Sequence, residues 1–198
     1  MIVLWLFMFR GIAIEFSHHL HGPIWEPVLD TAFAGASALL AIAFGAALGN
    51  VIRGVPLDSS AEFFLPLWTD FTATGTPGLL DWFSILCGLH VALALALHGA
   101  LWVAHKTGGE LSGRARAIAR RLWIPLALST IVVTFAAMQV QPLVAQAVQS
   151  RVWMWPLPAL ALAGLGGVYF YLSRGRDGIA FLSSCAYLAG MLASAAFS

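Results

Sequence analysis

Histidine and charge are the residue types able to do chemistry in a chain this apolar. His90 and His98 lie eight residues apart, and His105 follows seven further on. Two imidazoles can clamp a haem iron from opposite faces, which needs them on facing helices. Along one helix, eight residues rise about 12 Å and turn by about 80°, so His90 and His98 cannot form that clamp together. No other long apolar stretch contains a histidine. The readings left are a single axial ligand, a ligand completed by a partner, or polar rings packed and bonded between helices, and the last is favoured. His18, His19 and His21 form an H-H-x-H cluster. No neighbouring cysteine completes a metal set there, and a solvated loop is the simpler reading.

Charges inside a greasy stretch are costly, so each one invites a functional reading. Arg10 interrupts the apolar run Leu4–Phe16, and Glu15 follows at a spacing that is not a clean i,i+4 pair. Asp30 opens the next stretch, while Asn50 and Arg53 close it. An N-terminal aspartate suits the helix dipole, and a terminal arginine can snorkel to the interface. Together they could set polar groups at both ends of one helix, along a proton or quinone-head route. Nothing matches a nucleophilic triad, a phosphate loop or paired catalytic carboxylates. No catalytic residue and no metal ligand are therefore assigned.

The elements that must position these residues follow from composition. The chain has 198 residues, 60% hydrophobic and 10% charged, with 10 Lys+Arg against 9 Asp+Glu, and a mean hydropathy of +0.86. Soluble domains carry roughly 25% charged residues. A water-soluble fold, a disordered chain and a nucleic-acid binder are excluded. Charge-free stretches run over 31–52, 82–105, 122–150, 152–173 and 178–198, each long enough for the roughly 20 residues a spanning helix needs. A sixth, Met1 to about Phe16, is shorter and broken by Arg10. Continuous Leu- and Ala-rich runs fit helices, not the alternating strands of a barrel. The expected fold is an all-α membrane protein, a single transmembrane domain over 1–198. It has about five full helices and one truncated N-terminal helix in antiparallel bundles.

Lys106, Arg114, Arg116, Arg120 and Arg121 crowd one connection, and Arg174 and Arg176 another. The positive-inside rule puts the loops 106–121 and 174–177 in the cytoplasm, and with them the loop 17–29. The long connection 53–81 then faces outward with Asp58, Glu62, Asp70 and Asp81, and with the aromatics Phe63, Phe64, Trp68 and Phe71. Its aromatics suit an interfacial belt or a docking surface. Gly108-Gly109 and Ser112-Gly113 suggest a flexible inner loop. Gly45 and Gly49 form a G-x-x-x-G that Ala41 extends one turn back, the small-residue row that lets helices approach closely. Gly164, Gly166 and Gly167 read the same way. Cys87 and Cys185 read as buried thiols.

Three runs now become recognisable. Phe9-Arg10-Gly11-Ile12-Ala13-Ile14-Glu15-Phe16, then Gly45-Ala46-Ala47-Leu48-Gly49-Asn50-Val51-Ile52-Arg53-Gly54-Val55-Pro56-Leu57-Asp58, then Gly75-Thr76-Pro77-Gly78-Leu79-Leu80-Asp81-Trp82 with Ala96-Leu97-His98-Gly99-Ala100. This order and spacing resembles subunit II of cytochrome bd-type quinol oxidases, including the cyanide-insensitive branch, over residues 1 to about 125. The resemblance implies a heterodimeric respiratory enzyme of the bacterial inner membrane that oxidises quinol and reduces oxygen to water. It implies that haems b and d and the quinol site belong to the partner, subunit I. This chain would bind no haem and would support assembly and proton or oxygen access. Arg10, Glu15, Asn50, Arg53 and Asp58 match signature positions of the family. Members are longer, with an acidic N-terminal hairpin, so the resemblance also predicts an N- and C-terminally truncated fragment of the subunit II fold.

Two other readings make different predictions. A small transporter or permease would break its helices near the bilayer centre at matching places in two halves. Pro125, Pro142, Pro156 and Pro158 instead look like boundary prolines. A haem-bearing cytochrome b subunit would show a b-haem visible spectrum in the purified chain alone.

Overall fold

The computed structural model describes residues 1–20, 22–54, 66–68, 78–141 and 154–197. Among these there are six helices: α1 (Ile2–His19), α2 (Trp25–Arg53), α3 (Trp82–Lys106), α4 (Gly109–Val140), α5 (Pro156–Ser173) and α6 (Asp177–Phe197). α2 to α6 are each long and apolar enough to cross a membrane, and the chain is an all-α membrane protein.

Local chemistry sets the helix ends. α3 starts with a capping box: Asp81 accepts from the Ser84 N–H at 2.8 Å, and the Asp81 N–H donates to Ser84 Oγ at 2.9 Å. Two of the orphan amides of the first turn are thereby satisfied. α5 carries Pro156 at its first position, where a missing N–H costs nothing. The turn into α6 runs through Gly175 at φ +70°, a left-handed conformation open to glycine without strain.

Several boundaries depart from the sequence expectations. α2 begins at Trp25, so Asp30 lies inside the helix and is exposed. Pro27 is tolerated there because first-turn amides need no intrahelical partner. The stretch 106–121, expected as a loop with a flexible glycine pair, is helical from Gly109, and only Thr107 and Gly108 connect α3 to α4. Ser112, Ala115, Ala119, Leu126, Thr130 and Val133 are its buried positions, which is the spacing of one helical face. At 1.5 Å per residue α4 is about 48 Å long, longer than a hydrocarbon core of about 30 Å, so its arginine-rich turns can lie outside lipid. Pro125 sits inside α4, away from its ends; intramembrane helices absorb the lost bond through their neighbours. The connection expected over 17–29 shrinks to residues 20–24.

α3 is the central element. It packs against α2 and α4 and also against α6, while α5 pairs with α6 and α1 rests on α2. The core between α3, α4, α5 and α6 holds Leu97, Leu101, Ala119, Leu126, Val168 and Tyr187. Glycine closes the two tightest seams. A Cβ on Gly45 would stand 2.8 Å from the Gly88 Cα, and one on Gly49 would stand 3.0 Å from the Cys87 Cβ. The expected G-x-x-x-G thus faces α3 and not lipid. A Cβ on Gly164 would meet the Tyr187 backbone at 2.5 Å, and one on Gly190 the Ala161 backbone at 2.6 Å. Gly167 abuts Ser183, but Gly166 faces open space and takes no part in this seam.

Candidate functional site

The α2–α3 end gathers polar groups under an apolar chain. Arg53, the last residue of α2, pairs with the Asp81 carboxylate that caps α3. The Arg53 guanidinium also lies 5.5 Å from the Phe83 ring centroid, and Phe83 is fully buried. Asn50, one turn back, donates from Nδ2 to the Leu79 carbonyl at 2.8 Å. Gln141, just past α4, donates from Nε2 to the Arg53 carbonyl at 3.0 Å. Three segments therefore meet around Arg53: the end of α2, the start of α3 and the residue after α4. Burial opposes ionisation of Asp81 most strongly, but Arg53, the Ser84 amide and hydroxyl, and the arginine's charge together hold its carboxyl below the usual value.

A second polar cluster lies where α3, α4 and α6 meet. The two His90 ring nitrogens are both engaged: Nδ1 with Ser129 Oγ at 2.9 Å, and Nε2 with Tyr187 Oη at 3.2 Å. Tyr187 Oη also meets Thr130 Oγ1 at 2.7 Å. His98 Nδ1 bonds Ser184 Oγ at 2.8 Å, and its ring stacks on Phe181 at 4.7 Å between centroids. Both imidazoles are hydrogen-bonded between helices.

At the opposite end Arg116 of α4 forks onto Asp177, which opens α6, with contacts of 2.6 to 3.0 Å. His105 lies beside Gly178 at the same end.

The structure brings together only part of the set singled out from the sequence. Asn50 and Arg53 share one site. Arg10 faces α2, its guanidinium 5.0 Å from the Phe33 ring centroid, and its buried Nε has no hydrogen-bond partner among the described residues. Glu15 is exposed, with a 4.0 Å contact to His19. Asp30 is exposed and away from both clusters. Asp58, His21, Phe63, Phe64 and Phe71 lie outside the described residues, and Trp68 is exposed. The sequence reading placed Asp81 among the acids of the outward connection and in a signature run without giving it a role, and did not single out Gln141, Ser129, Thr130 or Tyr187. The one available signal was a hydroxyl in an apolar span, which must find a partner. Among the described residues no three His, Cys, Asp or Glu side chains converge as a metal site.

Comparison with known proteins agrees with the signature runs. The chain is 28% identical over 223 aligned residues to "Probable cytochrome oxidase subunit 2" of Haemophilus influenzae, covering 100% of this chain and 57% of that protein. It is 28% identical over 121 residues to "Cytochrome bd ubiquinol oxidase subunit 2" of Bacillus subtilis, covering 61% of this chain and 33% of that one. The chain thus spans little more than half the length of the first relative and a third of the second. The model of the family described as cytochrome bd terminal oxidase subunit II matches residues 1–198. With that match running from the first residue to the last, the chain belongs to the cytochrome bd terminal oxidase subunit II family.

Proposed function

We propose that the chain acts as a non-haem subunit of a bd-type quinol:oxygen oxidoreductase in the bacterial inner membrane. Its partner is a haem-bearing subunit I that carries haems b and d and oxidises quinol. The Arg116–Asp177 end, rich in arginine, faces the cytoplasm by the positive-inside rule. The chain's task is to brace the partner and to support proton or oxygen access.

The observation that carries this reading is the engagement of His90. An imidazole that ligates iron must offer a nitrogen lone pair to the metal, but both His90 nitrogens are spent on hydroxyls of α4 and α6. His98 has one nitrogen bonded and its face covered by Phe181. The engagement of both His90 nitrogens supports a chain that binds no haem through that residue. The unbroken course of α4 through Pro125 weighs against a transporter, whose binding site is expected at broken helices.

The test is the visible spectrum of the complex. His90→Gln and His98→Gln variants, purified with their partner, are expected to keep the wild-type haem absorbance per complex. Loss of a b-haem band in either variant would overturn the proposal and favour the haem-bearing reading.

A further inference from the structure

One end of the helix array is divided by charge. The turn from α1 to α2 and the connections α3–α4 and α5–α6 all lie at that end. On α1 and α2 the acids Glu15, Glu26 and Asp30 are exposed there, and no lysine or arginine occurs between Arg10 and Arg53. Around α3 to α6 the same end carries seven lysines and arginines against Glu110 and Asp177. Among the described residues Arg116 alone of these cations has an ion-pair partner. Lys106, Arg114, Arg120, Arg121, Arg174 and Arg176 are all exposed. α1 rests on α2, and α3 stands between that pair and the pair α5–α6, so the acids and the cations occupy different sides.

α4 shows what kind of molecule these cations suit. Arg114 and Arg121 lie two turns apart on one helix face. Ile124, Leu128, Ile131, Val132 and Phe135 continue that face, each more than half exposed. From Arg121 to Val140 the helix rises about 28 Å, close to a hydrocarbon thickness of about 30 Å. Arg121 therefore stands where the headgroups begin, and Arg114 about 10 Å beyond it. Two cations above a continuous apolar stripe match a molecule with an anionic head and acyl tails. A neighbouring apolar helix would cover the stripe but leave both guanidiniums without an anion. Two of the other cations rest on aromatic rings. Lys106 Nζ is 5.0 Å from the Trp102 ring centroid, and the Arg174 guanidinium is 3.8 Å from that of Phe170. Aromatic rings favour the headgroup level, which places these cations there too.

We propose that the exposed face of α4 binds an anionic phospholipid of the leaflet at this end, its phosphate against Arg114 and Arg121 and its acyl chains along Ile124, Leu128 and Phe135. A guanidinium suits a phosphate because its fork of N–H donors matches the phosphate oxygens. A zwitterionic lipid offers the same tails but brings its own cation, and gains less from the two arginines. The acids on α1 and α2 repel an anionic headgroup, so such lipid collects on one side of the chain and not on the other. This goes beyond a bracing role and holds whatever a partner subunit carries.

The test is photo-crosslinking in bilayers, on the full chain with the subunits that co-purify. Phosphatidylglycerol and phosphatidylcholine, each with a photoactivatable acyl chain, are supplied in separate samples at equal mole fraction. Mass spectrometry then counts the adducts on residues 122–135. Phosphatidylglycerol is expected to label this stretch about fivefold more than phosphatidylcholine, the gain of roughly one cation near an anionic headgroup. Salt at about 1 M should remove most of the excess. Arg114→Gln combined with Arg121→Gln should bring the two lipids close to equal labelling, whereas Arg114→Lys combined with Arg121→Lys should keep most of the excess. Both positions are exposed, so neither double variant disturbs the packed core. Equal labelling by the two lipids in the wild type, or an excess untouched in the glutamine variant, overturns the site. A lack of adducts from either lipid would mean that another helix covers α4, and overturns it as well.

Discussion

Each end of the helix array carries an arginine–aspartate pair in which the aspartate opens a helix, but the two pairs sit in different surroundings. At the α2–α3 end the side chains of Arg53 and Asp81 are 12% and 7% exposed, with Phe83 beneath and Asn50 and Gln141 fastening the backbone beside them. At the α4–α6 end Arg116 is 40% exposed, though its fork onto Asp177 has the better bidentate geometry. In water an ion pair gains little, because both charges are already well solvated. Out of water each charge needs the other, because the alternative is a bare charge in a poor solvent. Dependence on a partner is therefore set by surroundings more than by the contact itself.

The sharpest way to break this comparison is to remove one charge at a time from the enclosed end. Asp81→Asn keeps an oxygen to cap α3 but strands Arg53, which cannot shed its charge. A loss of about 3–5 kcal/mol is expected, the range for an enclosed pair broken from one side. Arg53→Gln should cost less, since Asp81 keeps its bonds to Ser84 and can take up a proton. The double variant should recover part of the loss of Asp81→Asn, a coupling that a double-mutant cycle measures. Thermal or denaturant unfolding in detergent micelles gives all three values, and simple additivity would show that the two side chains do not act as a pair.

The contrast between the ends also shows what the sequence made legible. The lengths of the apolar runs gave away the spans, because lipid demands about 20 such residues. Gly45 and Gly49 announced a seam, because a bare Cα is what lets backbones touch. Asn50 and Arg53 stood out as polar groups closing a span. That Asp81 is the partner of Arg53 did not show, since a long connection separates the two and no local spacing encodes the pairing. Glycine spacing was also ambiguous on α5: Gly164 and Gly167 face α6, whereas Gly166 faces open space. The start of α4 was hidden because arginines look alike on a loop and on a helix projecting beyond lipid. The polar cluster around His90 joins residues 97 positions apart, and it exists only once three helices have packed.

The α2–α3 end holds its charges in place only as long as the seam beneath it is tight, which gives a second, smaller test. Gly45→Ala sets a methyl 2.8 Å from the Gly88 Cα and the Val91 Cβ, and the first of these is backbone that cannot turn aside. Overpacking of this kind costs about 1–3 kcal/mol. Gly166→Ala, with nothing within 4 Å of the new atom, is the matched control and should be neutral or slightly stabilising. Equal unfolding temperatures for the two variants would mean that the seam yields freely.

The smallest effect is expected at the exposed end. Arg116→Ala removes two or more good contacts to Asp177, yet the loss should stay below about 1 kcal/mol, the usual range for pairs that water reaches. Asp177 also remains in the first turn of α6, where the helix dipole favours an anion, so it is not left bare. Salt separates the two ends further. At about 1 M ionic strength the screening length falls to about 3 Å, and the cost of Arg116→Ala should vanish while that of Asp81→Asn persists. Unfolding both variants at low and high salt checks this. A salt-insensitive loss at Arg116 comparable with that at Asp81 would mean that the fork geometry, and not the enclosure, decides how much each pair contributes.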